Sequence, residues 1–179
     1  MVYMFLAEGF EEIEALCPLD LLRRAGVDIK TVGIGSKNIC GAHGIGVVAD
    51  MSDNEIFNSA ADMIILPGGM PGTLNLEASA VVSDAIDVAI SSGSYIAAIC
   101  AAPSILGKRG LLAGKEAICY PGFEDKLLGA KISEKRVVVD GKIITAAGMG
   151  VALEFGLSLV AILCGEEKAD ALRKGVIAD

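Results

Sequence analysis

The sequence predicts a three-layer α/β domain built on a mostly parallel sheet, and three observations carry that prediction. Short apolar runs alternate with helical periods along the chain. The runs are apolar on both faces, as expected of strands covered from both sides. The length of 179 residues, with 53% apolar content, is enough for one domain with a sizeable core. Aromatic residues make up only 4% and tryptophan is absent, so that core must consist of Ile, Leu, Val and Ala. No linker, repeat or low-complexity segment interrupts residues 1–179.

The elements follow in order. "VYMFLA" reads as the first strand, and a helix runs from Glu11 to Ala25 and stops at Gly26. "DIKTVGIG" is a second strand and "GIGVVAD" a short extended piece. "DMIILPGG" is a buried strand that ends at Pro67-Gly68-Gly69. Ala78, Val81, Val82, Ala85, Ile86 and Ala89 then trace one helical face, closed by Ser91-Ser92-Gly93. "YIAAIC" is the next strand, with a helix directly after Cys100. "EAICY" and "RVVVDGKIITAA" supply further strands, the latter with a hairpin turn at Asp140-Gly141. An apolar helix from about Val151 to Leu163 and an amphipathic one from about Glu166 to Arg173 complete the chain.

Composition narrows the function. A net charge of −8 argues against nucleic acid, which demands clustered Lys and Arg. "MVYMFLAEGF" carries no basic leader pattern, and "GVALEFGLSLVAIL" contains Glu154 and falls short of a membrane span. Five cysteines at 17, 40, 100, 119 and 164, without a C-x-x-C pair, indicate neither disulfides nor a metal site and suit a reducing cytoplasm. Cys17, Cys119 and Cys164 read as packing residues, and Cys40 as exposed.

The chemistry is expected at Cys100. In such sheets ligands bind at the carboxyl ends of the strands. In Ala98-Ile99-Cys100-Ala101-Ala102, small residues flank the cysteine at two positions before and two after. A sharp strand-to-helix turn requires this, as in the elbow that carries nucleophilic serines. The turn would expose the sulfur, aim backbone N–H groups at it and lower the thiol pKa through the helix N-terminus. Gly68 and Gly69 end a neighbouring strand and allow close backbone approach. The Gly69 and Ala101 amides are the candidate oxyanion hole.

"EGFEEIEA", "LPGGMPG", "AAICAAP" and the late "LEF", in this order and spacing, resemble the ThiJ/PfpI family, in the branch of the parkinsonism-associated protein deglycase. The resemblance spans nearly the whole chain. It implies a flavodoxin-like sandwich of the class I glutamine amidotransferase type and a homodimer. It also implies that Glu14 is the glutamate bonded to the nucleophilic cysteine. On a helical wheel Glu14 lies beside the apolar face of Ile13 and Leu16, with Glu11 further out and Glu12 on the other flank. A buried carboxyl there should have a raised pKa and exchange a proton with the sulfur. His43, in the glycine-rich "CGAHGIGVVAD", is placed by the resemblance as a pocket residue and not as a catalytic one.

Two departures from the patterns of that family bear on the chemistry. Ala101 stands where the peptidase branch has a histidine after its cysteine, and Tyr120 where relatives of the deglycase branch often have one. No histidine follows Cys100, which weakens peptidase and amidotransferase readings. The activity the resemblance implies is cofactor-independent and metal-free, which suits the missing histidine: conversion of a small 2-oxoaldehyde such as methylglyoxal to lactate, or repair of glycated adducts. The alternative is a redox sensor or chaperone that uses oxidation of Cys100.

Overall fold

A computed structural model describes residues 1–56 and 61–178. The strands are β1 Val2–Leu6, β2 Ile29–Gly33, β3 Asn38–Cys40, β4 Gly46–Val48, β5 Met51–Ser52, β6 Met63–Leu66, β7 Tyr95–Ile99, β8 Glu116–Ala117, β9 Lys131–Ile132, β10 Val137–Asp140 and β11 Ile143–Ala146. The helices are α1 Glu12–Arg24, α2 Gly72–Ala78, α3 Ala80–Ser92, α4 Pro103–Lys108, α5 Ala152–Cys164 and α6 Glu166–Gly175. A seven-stranded sheet runs β10-β11-β7-β6-β1-β2-β5, parallel except for the β10–β11 hairpin.

Strand pleating sorts the apolar residues into two cores. Val2, Met4 and Leu6 of β1 face one side, where they pack with Leu19 and Leu22 of α1 and Phe155 and Leu159 of α5. Tyr3 and Phe5 face the other, against Val82 and Ile86 of α3 and Ile105 and Leu106 of α4. Successive side chains point to opposite faces, so an uninterrupted apolar strand serves both cores. This is the three-layer arrangement expected from the sequence.

The fold also revises several local expectations. Ala78 ends α2, a helix the sequence pattern merged with the next one. Ser79 breaks the run and caps α3, its hydroxyl accepting from the Val82 amide. Residues 38–48 form a separate two-stranded hairpin, β3–β4, where only one extended piece was expected. Of "EAICY", only Glu116–Ala117 is strand, paired with β9 outside the main sheet. In α1 the buried face is Ala15, Leu19 and Leu22, while Ile13 is exposed. Cys164 is exposed at the end of α5, not packed. Glu154 reaches Arg136 at 3.4 Å on the surface.

No helix among the described residues is long and apolar enough to cross a membrane. The chain moves outward from β1 to β2 and β5, then returns to the other side of β1 for β6, β7 and β11. The order therefore reverses between β1 and β6. Ligand crevices form at such reversals, outside the carboxyl ends of the strands.

Candidate active site

Three strand ends converge at that reversal. β7 ends at Ile99, and the next residue, Cys100, has φ 65°, in the left-handed region. An L-residue with a side chain is held there at a cost of about 1–2 kcal/mol. The neighbours fix it: the Cys100 N–H donates to the Ala146 carbonyl at 2.9 Å, and its carbonyl accepts from the Tyr120 N–H at 2.8 Å. Backbone bonds on both sides over-determine the turn, and Ala101 and Ala102, both buried, leave it room. This is the elbow expected from the alanine spacing.

β6 contributes the glycine pair. The Gly68 amide donates to Glu14 Oε2 at 3.0 Å, and its carbonyl accepts from the Glu11 amide at 3.0 Å. A Cβ on Gly68 would stand 2.6 Å from Glu14 Oε2 and 2.7 Å from the Cys100 Cβ. Gly69, at φ 89°, lies against the backbone of Gly9, Phe10 and Glu11. The amides of Ala101 and Gly69 both donate toward the Cys100 sulfur. Replacing Gly68 with alanine is expected to push the Glu14 carboxyl off the sulfur. Reactivity of Cys100 with iodoacetamide should then change by about tenfold or more, and a rate equal to wild type would refute the contact.

Glu14, on the first turn of α1, is 1% exposed. Its carboxyl is hydrogen-bonded to the Cys100 thiol and receives the Gly68 and Met149 amides. Burial raises its pKa from 4.5 to about 7, opposed by those hydrogen bonds and assisted by the nearby Glu11 charge. The Cys100 thiol is pushed well above its ordinary range, first by burial, then by the charge and hydrogen bond of Glu14. The expectation of a lowered thiol pKa is therefore wrong for the form with ionised Glu14. α4 begins only at Pro103, and the two amides that do reach the sulfur are outweighed by a buried neighbouring carboxylate. Sulfur and carboxyl behave as one unit that shares a proton. With the proton on Glu14, the repulsion is gone and the carboxyl can donate to a thiolate.

The other acidic residues have different work. Glu12 is 4% exposed, and its Oε1 accepts from the His43 amide at 2.8 Å and the Ile45 amide at 3.4 Å. Its Oε2 lies 2.9 Å from His43 Nδ1. Burial would raise the Glu12 pKa, but the bonds from His43 and the amides hold it below the ordinary value. In turn the Glu12 hydrogen bond and the Glu11 and Glu12 charges push the His43 pKa up. Glu12 thus pins the β3–β4 turn to the start of α1. A helical wheel misses this, because the partner comes from a hairpin some thirty residues away.

Glu11, Glu12 and His43 bring donor atoms within 4.8 Å of one another, the one such group among the described residues. The Glu12 oxygens are already engaged by the turn, so we read the trio as a latch. His43, on the hairpin, is tied to Glu12 at the start of α1. Tyr120 is half-exposed beside Cys100, and Cys119 is buried as expected. Cys40 is exposed in its hairpin. Gly148 and Met149, after β11, lie beside the site and carried no sequence signal, since one matters through the close approach of Tyr120 and the other through a backbone amide.

The DJ-1/PfpI family matches residues 1–162. Protein dj-1beta of Drosophila melanogaster is 35% identical over 177 residues, which cover 97% of this chain and 95% of that protein. The Caenorhabditis elegans glutathione-independent glyoxalase DJR-1.2 is 34% identical over 169 residues, 93% and 90% of the two chains. Against Protein DJ-1 homolog B of Arabidopsis thaliana, at 41% identity, the chain spans only 38% of the longer protein. The structure of oxidized Toxoplasma gondii DJ-1 superposes with a TM-score of 0.94 at 35% identity, over 98% of this chain and 97% of that one.

Proposed function

We propose, because the chain belongs to the DJ-1/PfpI family, that it is a cysteine-dependent enzyme converting small 2-oxoaldehydes to 2-hydroxy acids without a cofactor, as one domain over residues 1–179. The observation that carries this reading is convergence: a carboxyl and two backbone amides meet on one sulfur held at positive φ. The relative described as a glutathione-independent glyoxalase supports the same chemistry.

The steps balance with this chain's own groups. The Cys100 thiolate adds to the aldehyde carbon of methylglyoxal and forms a C–S bond. The Gly69 and Ala101 amides stabilise the new oxyanion, which takes the shared proton from Glu14. Glu14, now a carboxylate, removes the hydrogen on that carbon and returns it to the adjacent one, while the hydroxyl proton passes to the adjacent oxygen, leaving a thioester of lactate. Water cleaves the thioester, and lactate and the thiol are released. Glycated protein or nucleotide adducts would present the same carbonyl-derived carbon to the sulfur. The test is incubation of purified protein with methylglyoxal, without glutathione, and measurement of lactate. Wild type that forms none refutes the reading.

A second reading, oxidation sensing at Cys100, is favoured by the relative solved in oxidized form. The same two amides and a protonated Glu14 would stabilise a sulfinate. Five free cysteines, two of them exposed, suit a reducing cytoplasm.

The homodimer implied by the family resemblance has a candidate face. Ile13 and Leu153 are exposed, and a groove lined by Cys17, Leu21, Leu153 and Val176 joins α1 to α5. Leu153→Asp is expected to convert a dimer to a monomer in light scattering after size exclusion. Wild type at monomer mass would exclude the dimer.

A further inference from the structure

A groove lies at the opposite end of β7 from Cys100, where the amino ends of β7 and β11 meet the last turn of α3. α4 stops at Lys108 and the chain reaches β8 through turns, so this helical layer leaves those strand ends partly uncovered. The groove has a volume of about 290 Å³. Its apolar lining is Ala89, Ile96 and Ile143, all buried, with Leu111 and the 46% exposed Ile90. Among the described residues its charged lining groups are Lys115 and Lys142, with no carboxylate. That runs against a chain with 23 acidic and 15 basic residues. Two other grooves hold their cations in ion pairs, Lys108 with Glu77 and Arg109 with Asp87 in one, Arg24 with Asp20 in the other.

Both ammonium groups have donors to spare. The Lys142 Nζ lies 3.7 Å over the Tyr95 ring and makes no ion pair among the described residues. Lys115 meets Asp140 at 3.4 Å, long for a hydrogen bond, because that carboxylate is held by the Glu116 amide at 2.8 Å. A Cβ on Gly141 would stand 3.6 Å from the Lys115 Nζ, so this ammonium lies beside the turn that carries Lys142. Each ammonium offers three donors, and these contacts use few of them.

We infer that this groove binds a small apolar carboxylate, with its hydrocarbon part against Ile90, Ile96 and Ile143 and its carboxylate at Lys115 and Lys142. Two like charges beside an apolar surface repel each other, and a bound anion relieves that repulsion. A neutral hydrocarbon would leave the ammonium groups unused, and an inorganic anion would leave the apolar lining uncovered. The volume suits an aromatic ring with its acid group, since a cavity of about 150 Å³ already holds benzene. The site is separate from Cys100 and does not depend on the chemistry proposed there.

The probe is phenylacetate, and phenylacetamide is its neutral isostere. Full-length protein with labelled Ile and Leu methyl groups is titrated with each, and the signals of Ile90, Ile96, Leu111 and Ile143 are followed by NMR. Phenylacetate is expected to shift these signals and to bind about tenfold more tightly than the amide. The double variant Lys115→Gln/Lys142→Gln is expected to erase that difference while its melting temperature stays near that of wild type. Acid and amide bound alike, no shift at these methyl groups, or a preference that survives in the double variant overturns the inference. Shifts that follow protein concentration without any probe would assign the face to a second copy of the chain and overturn it as well. Protection of Cys100 from iodoacetamide by phenylacetate, without shifts in the groove, would place the acid at the active site and refute the separate site.

Discussion

Cys100→Ala is expected to lower lactate formation from methylglyoxal by about a thousandfold or more, to the level of the uncatalysed reaction. No other described group can substitute. Cys17 and Cys119 lie within the packed layers and Cys40 and Cys164 on the surface, and none is held by the two converging amides. Cys100→Ser should be nearly as inactive, because a hydroxyl in this setting keeps its proton far more firmly than a thiol. Both substitutions keep a side chain at φ 65°, so neither relieves the backbone strain, and the fold should survive with a melting temperature close to wild type. A Cys100→Ala protein with full activity would remove the cysteine from the mechanism. In the sensing alternative, mass spectrometry after modest peroxide should find Cys100 oxidised ahead of the exposed Cys40, and equal oxidation of the two would count against it.

Glu14→Gln is expected to separate three properties that a structural role would move together. Glutamine can still accept the Gly68 amide and donate to the sulfur, but it cannot carry the proton, so turnover should fall by about 10²–10⁴-fold. Alkylation of Cys100 should instead become faster. Burial still raises the thiol pKa, but the next two causes, the Glu14 charge and its hydrogen bond as an acceptor, are gone. Stability should rise at neutral pH. Glu14 titrates at about 7 in the folded protein, from an ordinary value of 4.5, so the native state binds the extra proton between those values.

Wild-type stability therefore falls as pH rises through that window, and the loss is complete above about 7. The full span corresponds to about 3 kcal/mol, or roughly 5–10 °C in melting temperature for a chain of this size. Thermal unfolding of both proteins at pH 5 and pH 8 checks it: the gap should be small at the lower pH and largest at the higher. Parallel pH dependences would show that Glu14 is not the buried acid described above. A residue that costs stability and supports turnover is the expected signature of a functional site.

The amino-acid order by itself determined the layers, the strand ends and the turn at Cys100. Apolar runs bounded by glycine and proline dictate buried parallel strands, because only a sheet covered on both faces hides them. The small residues around Cys100 dictate a tight turn, because larger ones would collide there. These are local constraints, read within a few residues. The division of α2 from α3 at Ser79 and the β3–β4 hairpin were less legible, since each depends on which competing hydrogen bonds the packed chain permits.

The family resemblance pointed to Glu14, but only the tertiary structure showed what holds each acid. A single helical turn offers Glu11, Glu12 and Glu14. The hairpin takes Glu12 through His43 and two amides, and β6 presents the Gly68 amide to Glu14. The thiol pKa was likewise out of reach of a helix-terminus argument, because its sign depends on burial and on a carboxylate 86 positions away in the chain. The same holds for Gly148, where the approach of the Tyr120 ring leaves no room for a side chain. Charge, desolvation and empty volume depend on distances between remote segments, and those distances are fixed only when the sheet is assembled.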